Sequence, residues 1–204
     1  MSTPSRESAT GPSRAAAPGG PEQRPRNLIL PYDITSAVTS DEALQLARLA
    51  RDKVMLELGA HYGFSTIVLA SVAERVYSVD WHKGDIHAGV GDSWQAFNFN
   101  LIRYGVTDRV TICRGRFEAE VPRLQAEGVI CDGAFIDGMH DEESVSRDLA
   151  LALLVVRPGG FISFHDYGRG PETGHSEFKI TEVADKFGVQ GVVGTLAWGT
   201  VPEA

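Results

Sequence analysis

From Val54 to Val201 short apolar runs alternate with longer amphipathic stretches, and most of the runs close on a glycine or a carboxylate. The runs are Val54 to Leu58 before Gly59, Arg75 to Val79 before Asp80, Val110 to Cys113, Ala134 to Ile136 before Asp137, and Phe161 to Phe164 before His165-Asp166. Between them, Phe64 to Val72, Ser93 to Tyr104, Glu142 to Val156 and Glu177 to Phe187 space their apolar residues as helices do. A further helix is expected over Asp41 to Arg51, capped by Ser40 or Asp41, and two last strands over Val189 to Val193 and Leu196 to Val201. Pro158-Gly159-Gly160 is read as the stop of the helix that begins at Glu142. Strands and helices in this alternation build βαβ units, and so an α/β fold with a mostly parallel sheet covered on both faces. No internal repeat is visible.

The chain of 204 residues is long enough for one domain with a sizeable core and needs no disulfide or metal staple. Residues 1–26 hold little that can enter a core and are expected to be a disordered tail, leaving 27–204 as the folded unit. Cys113 and Cys131 make neither a disulfide framework nor a zinc site, so a reduced, cytoplasmic setting is expected. A net charge of -8 argues against an electrostatic grip on nucleic acid or anionic membranes. No run approaches a membrane span, and no leader-like apolar core opens the chain. The expected partner is a small molecule. Monomer and homodimer both stay open.

In parallel sheets ligands bind beyond the carboxyl ends of the strands. The first such turn is Glu57-Leu58-Gly59-Ala60-His61-Tyr62-Gly63-Phe64-Ser65-Thr66. Gly59 permits a sharp turn, Gly63 lets backbone approach a ligand, and Ser65 and Thr66 offer hydroxyls. His61 stands where G-x-G-x-x-G has its middle glycine, and Glu57 would repel a pyrophosphate. A cationic ligand with an amino-acid moiety suits this turn better than a dinucleotide. Asp80, ending the next strand, is placed to accept both hydroxyls of a ribose.

These residues resemble the class I S-adenosylmethionine-dependent methyltransferases, over about Val54 to Thr200. Within that class, AFIDGMH followed by a helix, PGG and FHDY resembles the small-molecule O-methyltransferases of the macrolide-sugar type. The resemblance implies a Rossmann-like, doubly wound sheet of seven strands, mostly parallel with the last strand antiparallel. It implies methyl transfer from S-adenosylmethionine to a hydroxyl oxygen of a small molecule such as a natural product or sugar. The cofactor would lie over Gly59, Ala60 and Gly63, near Glu57, Ser65, Thr66 and Asp137, with its ribose on Asp80 beside Trp81 and its adenine near Arg116 and Phe117.

A second group of residues is Asp137, His140, His165 and Asp166. Carboxylates converging there suit magnesium, which could hold and acidify a substrate hydroxyl. The metal set expected on this basis is Asp137, His165 and Asp166. The related metal-dependent sugar methyltransferases, however, carry two adjacent acidic residues where this chain has His165-Asp166. Histidine is a poor magnesium ligand, so the site either binds metal weakly, takes another divalent cation such as manganese, or takes none. His140 is the candidate general base, with Asp137 beside it.

Other residues are read more plainly. Gly168 to His175 lies where a lid would sit, with Arg169 and His175 able to touch substrate. Trp94, Phe97, Phe99 and Trp198 are expected in the core, and Glu142, Glu143 and Asp148 on the exposed N-terminal face of a helix. Two alternatives remain beside methyl transfer: an NAD(P)-dependent oxidoreductase on the same kind of sheet, and a methyltransferase-like protein that binds cofactor without methylating.

Overall fold

A computed structural model describes residues 26–85 and 89–203. The tail expected over 1–26 falls outside these residues except for Arg26. In chain order the elements are α1 (Ser40–Ala50), β1 (Val54–Leu58), α2 (Phe64–Val72), β2 (Arg75–Asp80), β3 (Gly84–Asp85), β4 (Gly89–Val90), α3 (Trp94–Tyr104) and β5 (Val110–Arg114). They continue with α4 (Phe117–Ala126), β6 (Cys131–Ile136), α5 (Glu142–Ala152), β7 (Val156–Phe164), α6 (Ile180–Phe187), β8 (Gly191–Val193) and β9 (Leu196–Thr200).

Seven strands form one sheet in the order β5-β2-β1-β6-β7-β9-β8. The pairs β1–β2, β1–β6, β2–β5 and β6–β7 are parallel. β9 is antiparallel to both of its neighbours, so the last strand alone runs against the rest. This is the doubly wound, Rossmann-like sheet expected from the sequence. β3 and β4 form a separate two-stranded hairpin.

Side chains alternate across a strand, and so β1 feeds two cores. Met55 packs with Ile67, Leu69 and Leu46 on the face covered by α1, α2 and α3. Leu56 and Leu58 pack with Leu124, Ile162 and Phe164 on the face covered by α4, α5 and α6. Every residue of α2 is buried, which explains its lack of a polar stripe.

Four local expectations are corrected. Thr39, not Ser40 or Asp41, caps α1, in a capping box with Glu42. α5 ends at Ala152, and Pro158-Gly159-Gly160 lies inside β7, where the pairing to β6 slips between Cys131 and Gly133. Gly159 has φ +72°, so this is a bulge in a strand rather than a helix stop. α4 is an added helix, whose pattern is interrupted by Pro122.

Candidate active site

β1 and β6 lie side by side while their following helices cover opposite faces of the sheet. That is a topological switch point, and there the strand ends open into a crevice of about 820 Å3. Its wall includes Gly59, Ala60, Ser65, Asp80, Trp81, Arg116, Phe117, Asp137, His140 and Asp166. Of the expected site residues, Gly63, Glu57, Thr66 and His165 lie outside this wall.

The glycines act through the backbone. Gly59 has φ +96°, and a Cβ there would overlap the carbonyl of Asp137. The turns after β1 and β6 thus touch main chain to main chain, which only glycine permits. Gly63 has φ +90° and opens α2. His61, at the place of the middle glycine, holds φ +46°. His82 (φ +60°) and Asp166 (φ +61°) are also left-handed. Two of the four such non-glycine residues among the described ones, His61 and Asp166, therefore line the crevice, the usual resting place of backbone strain.

Glu57 sits on the α2 side of β1 and is fully buried. Its carboxylate accepts hydrogen bonds from Ser65 Oγ at 2.7 Å, Thr66 Oγ1 at 2.6 Å and Ser78 Oγ at 2.6 Å. Burial pushes its carboxyl up to about 7, with the three hydroxyls pulling the other way. The hydroxyls expected to face a ligand are spent on Glu57, and the whole cluster clamps β1, α2 and β2 together beneath the crevice. Ser78, the partner on β2, was not singled out in the sequence because a lone serine inside a strand carries no signal.

Asp80 stays on the wall but works for the loops as well. Its Oδ2 accepts from the backbone N–H groups of Ala60 and His61, both at 2.8 Å, and its Oδ1 from that of His82 at 2.6 Å. One carboxylate thereby ties the turn after β1 to the loop after β2. Beside it the Arg116 guanidinium lies 4.3 Å from the centre of the half-exposed Trp81 ring. Phe117 lies against Gly138, where a Cβ would collide with its ring. Phe97 is core as expected, but Phe99 is 61% exposed. Asp148, expected on the surface, is buried at the Gly138 turn, and burial raises its carboxyl to about 7.

The second group does come together. His140 Nε2 lies 2.8 Å from Asp166 Oδ2, and the His140 ring stacks on Phe178 with centroids 4.1 Å apart. From the Gly168 to His175 segment, Arg169 places Nε 3.0 Å from Asp166 Oδ1, and His175 reaches the crevice wall. Burial disfavours the Asp166 anion, but His140, His165 and Arg169 hold its carboxyl well below the usual carboxylate range. This geometry suits proton transfer: a carboxylate orients an imidazole and stabilises the imidazolium that forms.

The same residues are the candidates for holding a divalent cation. Ligand atoms of Asp137, His140 and Asp166 lie within 4.8 Å of one another, so the trio that meets contains His140 rather than the expected His165. His165 turns both nitrogens to carboxylates: Nδ1 is 3.3 Å from Asp137 and 3.4 Å from Asp166, and Nε2 is 3.5 Å from Glu42. It has no nitrogen to give a metal. Both oxygens of Asp166 already face cations or the His140 ring. The donor set does not fit a divalent cation. Glu42, on α1 more than ninety residues from the motif, was not singled out in the sequence; its only local signal was the capping box with Thr39.

Comparison with known proteins agrees with this architecture. A family model described as a methyltransferase domain matches residues 56–167, and the chain belongs to that family. Among solved structures the chain is similar to cofactor-bound Rv0187 from MTB, at 23% identity and a TM-score of 0.63, covering 82% of this chain and 83% of that one. It is similar also to the O-methyltransferase TomG from Streptomyces achromogenes, involved in tomaymycin synthesis and solved in complex with SAM. There the identity is 20%, the TM-score 0.61, and the coverage 81% of this chain and 82% of that one. At these identities the likeness establishes the fold. The chain is 25% identical over 170 residues to the uncharacterized protein y4gI of Sinorhizobium fredii, covering 76% of this chain but 18% of that protein. The chain thus spans less than a fifth of that relative. No helix among the described residues is long and apolar enough to cross a membrane.

Proposed function

We propose that this methyltransferase uses S-adenosylmethionine and places its methyl group on a hydroxyl oxygen of a small molecule. The observation that carries the reading is one crevice bordered on one side by the Gly59 turn and Asp80 and on the other by the His140–Asp166 pair. A volume of about 820 Å3 holds a nucleoside-sized cofactor together with a small acceptor. The residues fit that cofactor: backbone at Gly59 and Ala60 can come close, Asp80 offers its remaining lone pair to a ribose, and Arg116, Phe117 and Trp81 offer flat faces to adenine.

When bound, the sulfonium supplies the methyl group. The chain's own residues position the acceptor and take its proton. His140 receives the hydroxyl proton while Asp166 holds the ring and balances the charge that develops on it. Asp137, partly exposed on the wall between them, lies where a carboxylate can orient the acceptor or the amino group of the cofactor. Arg169 and His175 close the acceptor side from the lid. Two unpaired, buried thiols support a reducing cytoplasmic setting. For a nicotinamide dinucleotide the turn has His61 where backbone should approach a pyrophosphate, and the family match gives that alternative no support.

The test is transfer of a labelled methyl group from S-adenosylmethionine to a panel of hydroxylated small molecules. The reading predicts labelled ether product and its loss, by about 10²–10⁴-fold in kcat, in His140→Ala with cofactor affinity unchanged. Label on no acceptor, or full activity in His140→Ala, would contradict it.

A further inference from the structure

His165 follows β7 and is 2% exposed, yet three carboxylates surround its ring. Asp137 and Asp166 face Nδ1 and Glu42 faces Nε2, all at 3.3–3.5 Å and none aligned as a normal hydrogen bond. An imidazole with one proton would have to turn a lone pair against a carboxylate on one side. With a proton on each nitrogen every contact is attractive. Two of the three carboxylates, Glu42 and Asp166, are held in place by other partners. Glu42 is 1% exposed and accepts from Thr39 N at 2.7 Å, Thr195 N at 2.5 Å and Thr195 Oγ1 at 2.9 Å. Asp166 is held by His140 and by Arg169.

We infer that His165 is a built-in cation: it supplies, from the protein, the positive charge that a divalent metal would otherwise bring between Asp137 and Asp166, and the site works without a metal ion. The charge on His165 stands on geometry alone, and turnover without a metal rests on the proposed methyl transfer. Asp137 and Asp166 carry two negative charges on the crevice side, and His165 and Arg169 already offset them. A dication entering there would meet a fixed cation behind the same oxygens and would have to displace it. Glu42 on α1 and Thr195, between β8 and β9, anchor that cation from behind. His165 touches no substrate in this arrangement. It is a positioning residue that fixes Asp166, which in turn fixes His140.

The test uses the full chain, with and without S-adenosylhomocysteine, titrated with Mn2+ and followed by calorimetry and electron paramagnetic resonance. The wild type is expected to take up no stoichiometric Mn2+, and exhaustive EDTA treatment to leave turnover unchanged. In His165→Asp a third carboxylate replaces the cation, and Mn2+ binding should appear at one ion per chain, at least about tenfold tighter than in the wild type. Long-range 1H–15N spectra of the wild type at neutral pH should show both ring nitrogens of His165 protonated, a reading that survives if His165→Asp does not fold. One tightly bound Mn2+ in the wild type that is lost in Asp166→Asn, or a singly protonated His165, would overturn the inference. S-adenosylhomocysteine binding reports separately on the methyltransferase reading, so a failure of either is told apart from a failure of the other.

Discussion

Glu57 and Asp80 show how one residue type at neighbouring strand ends serves different ends. Both were legible as strand-end carboxylates in an E-x-G-x-x-x-G context. What the sequence could not show is the hydrogen-bond partners, because Ser78, the N–H of Ala60 and that of His82 are neighbours only once β1 and β2 pair. The buried Glu57 carries a pH signature. Its carboxyl titrates near 4.5 when unfolded and is raised to about 7 in the fold, chiefly by burial. Between those values the folded chain binds more protons than the unfolded one, so stability is full below about pH 4.5 and falls as pH rises through about 7. The loss is on the order of 3 kcal/mol, since one pKa unit is about 1.4 kcal/mol. Urea denaturation at several pH values should show that slope, and Glu57→Gln should reduce it, with the similarly raised Asp148 supplying the remainder; an unchanged slope would sink the assignment. For Asp80, Asn substitution sets an amide N–H against backbone donors. A stability loss of about 2 kcal/mol is expected, together with at least about tenfold weaker S-adenosylhomocysteine binding. Normal affinity in Asp80→Asn would remove that residue from the cofactor site.

Elements were read well where the apolar period was clean. β1, α2 and α3 stand where the pattern put them, because their apolar residues keep one strand or helix spacing from end to end. α4 was missed because Pro122 breaks its pattern, and the residues around it are a mixed polar run. The end of α5 was misplaced for the opposite reason: Leu149 to Val156 continues a helical period past the true end, and only the pairing of Val156 with Cys131 decides in favour of strand. At the front of α5 the side chain of Asp141 accepts from Ser144 N at 3.0 Å and fixes the turn that carries His140. Asp141→Ala should cost about 1 kcal/mol in chemical denaturation. It should also lower turnover without changing cofactor affinity, since the base is on the loosened turn; equal stability to the wild type would show that the cap contributes nothing.

Across the whole molecule, six of the acidic groups behind the net charge of -8 are set into the fold or its crevice. Glu57, Asp148 and Glu42 are buried, and Asp80, Asp137 and Asp166 border one crevice. Their positions at strand ends were visible in the sequence, whereas the sharing of two carboxylates and Glu42 around His165 was not, because it joins α1, β6 and β7 through space alone. Of these six, Glu42, Glu57, Asp80, Asp137 and Asp166 meet backbone N–H groups, hydroxyls or imidazole. The most direct test of the central claim is calorimetric titration of the protein with S-adenosylhomocysteine. The account predicts one site per chain, competition by S-adenosylmethionine, and about 2.7 kcal/mol of added stability when the ligand is present at about a hundred times its Kd. An absence of binding heat and of any thermal shift at millimolar ligand would contradict it.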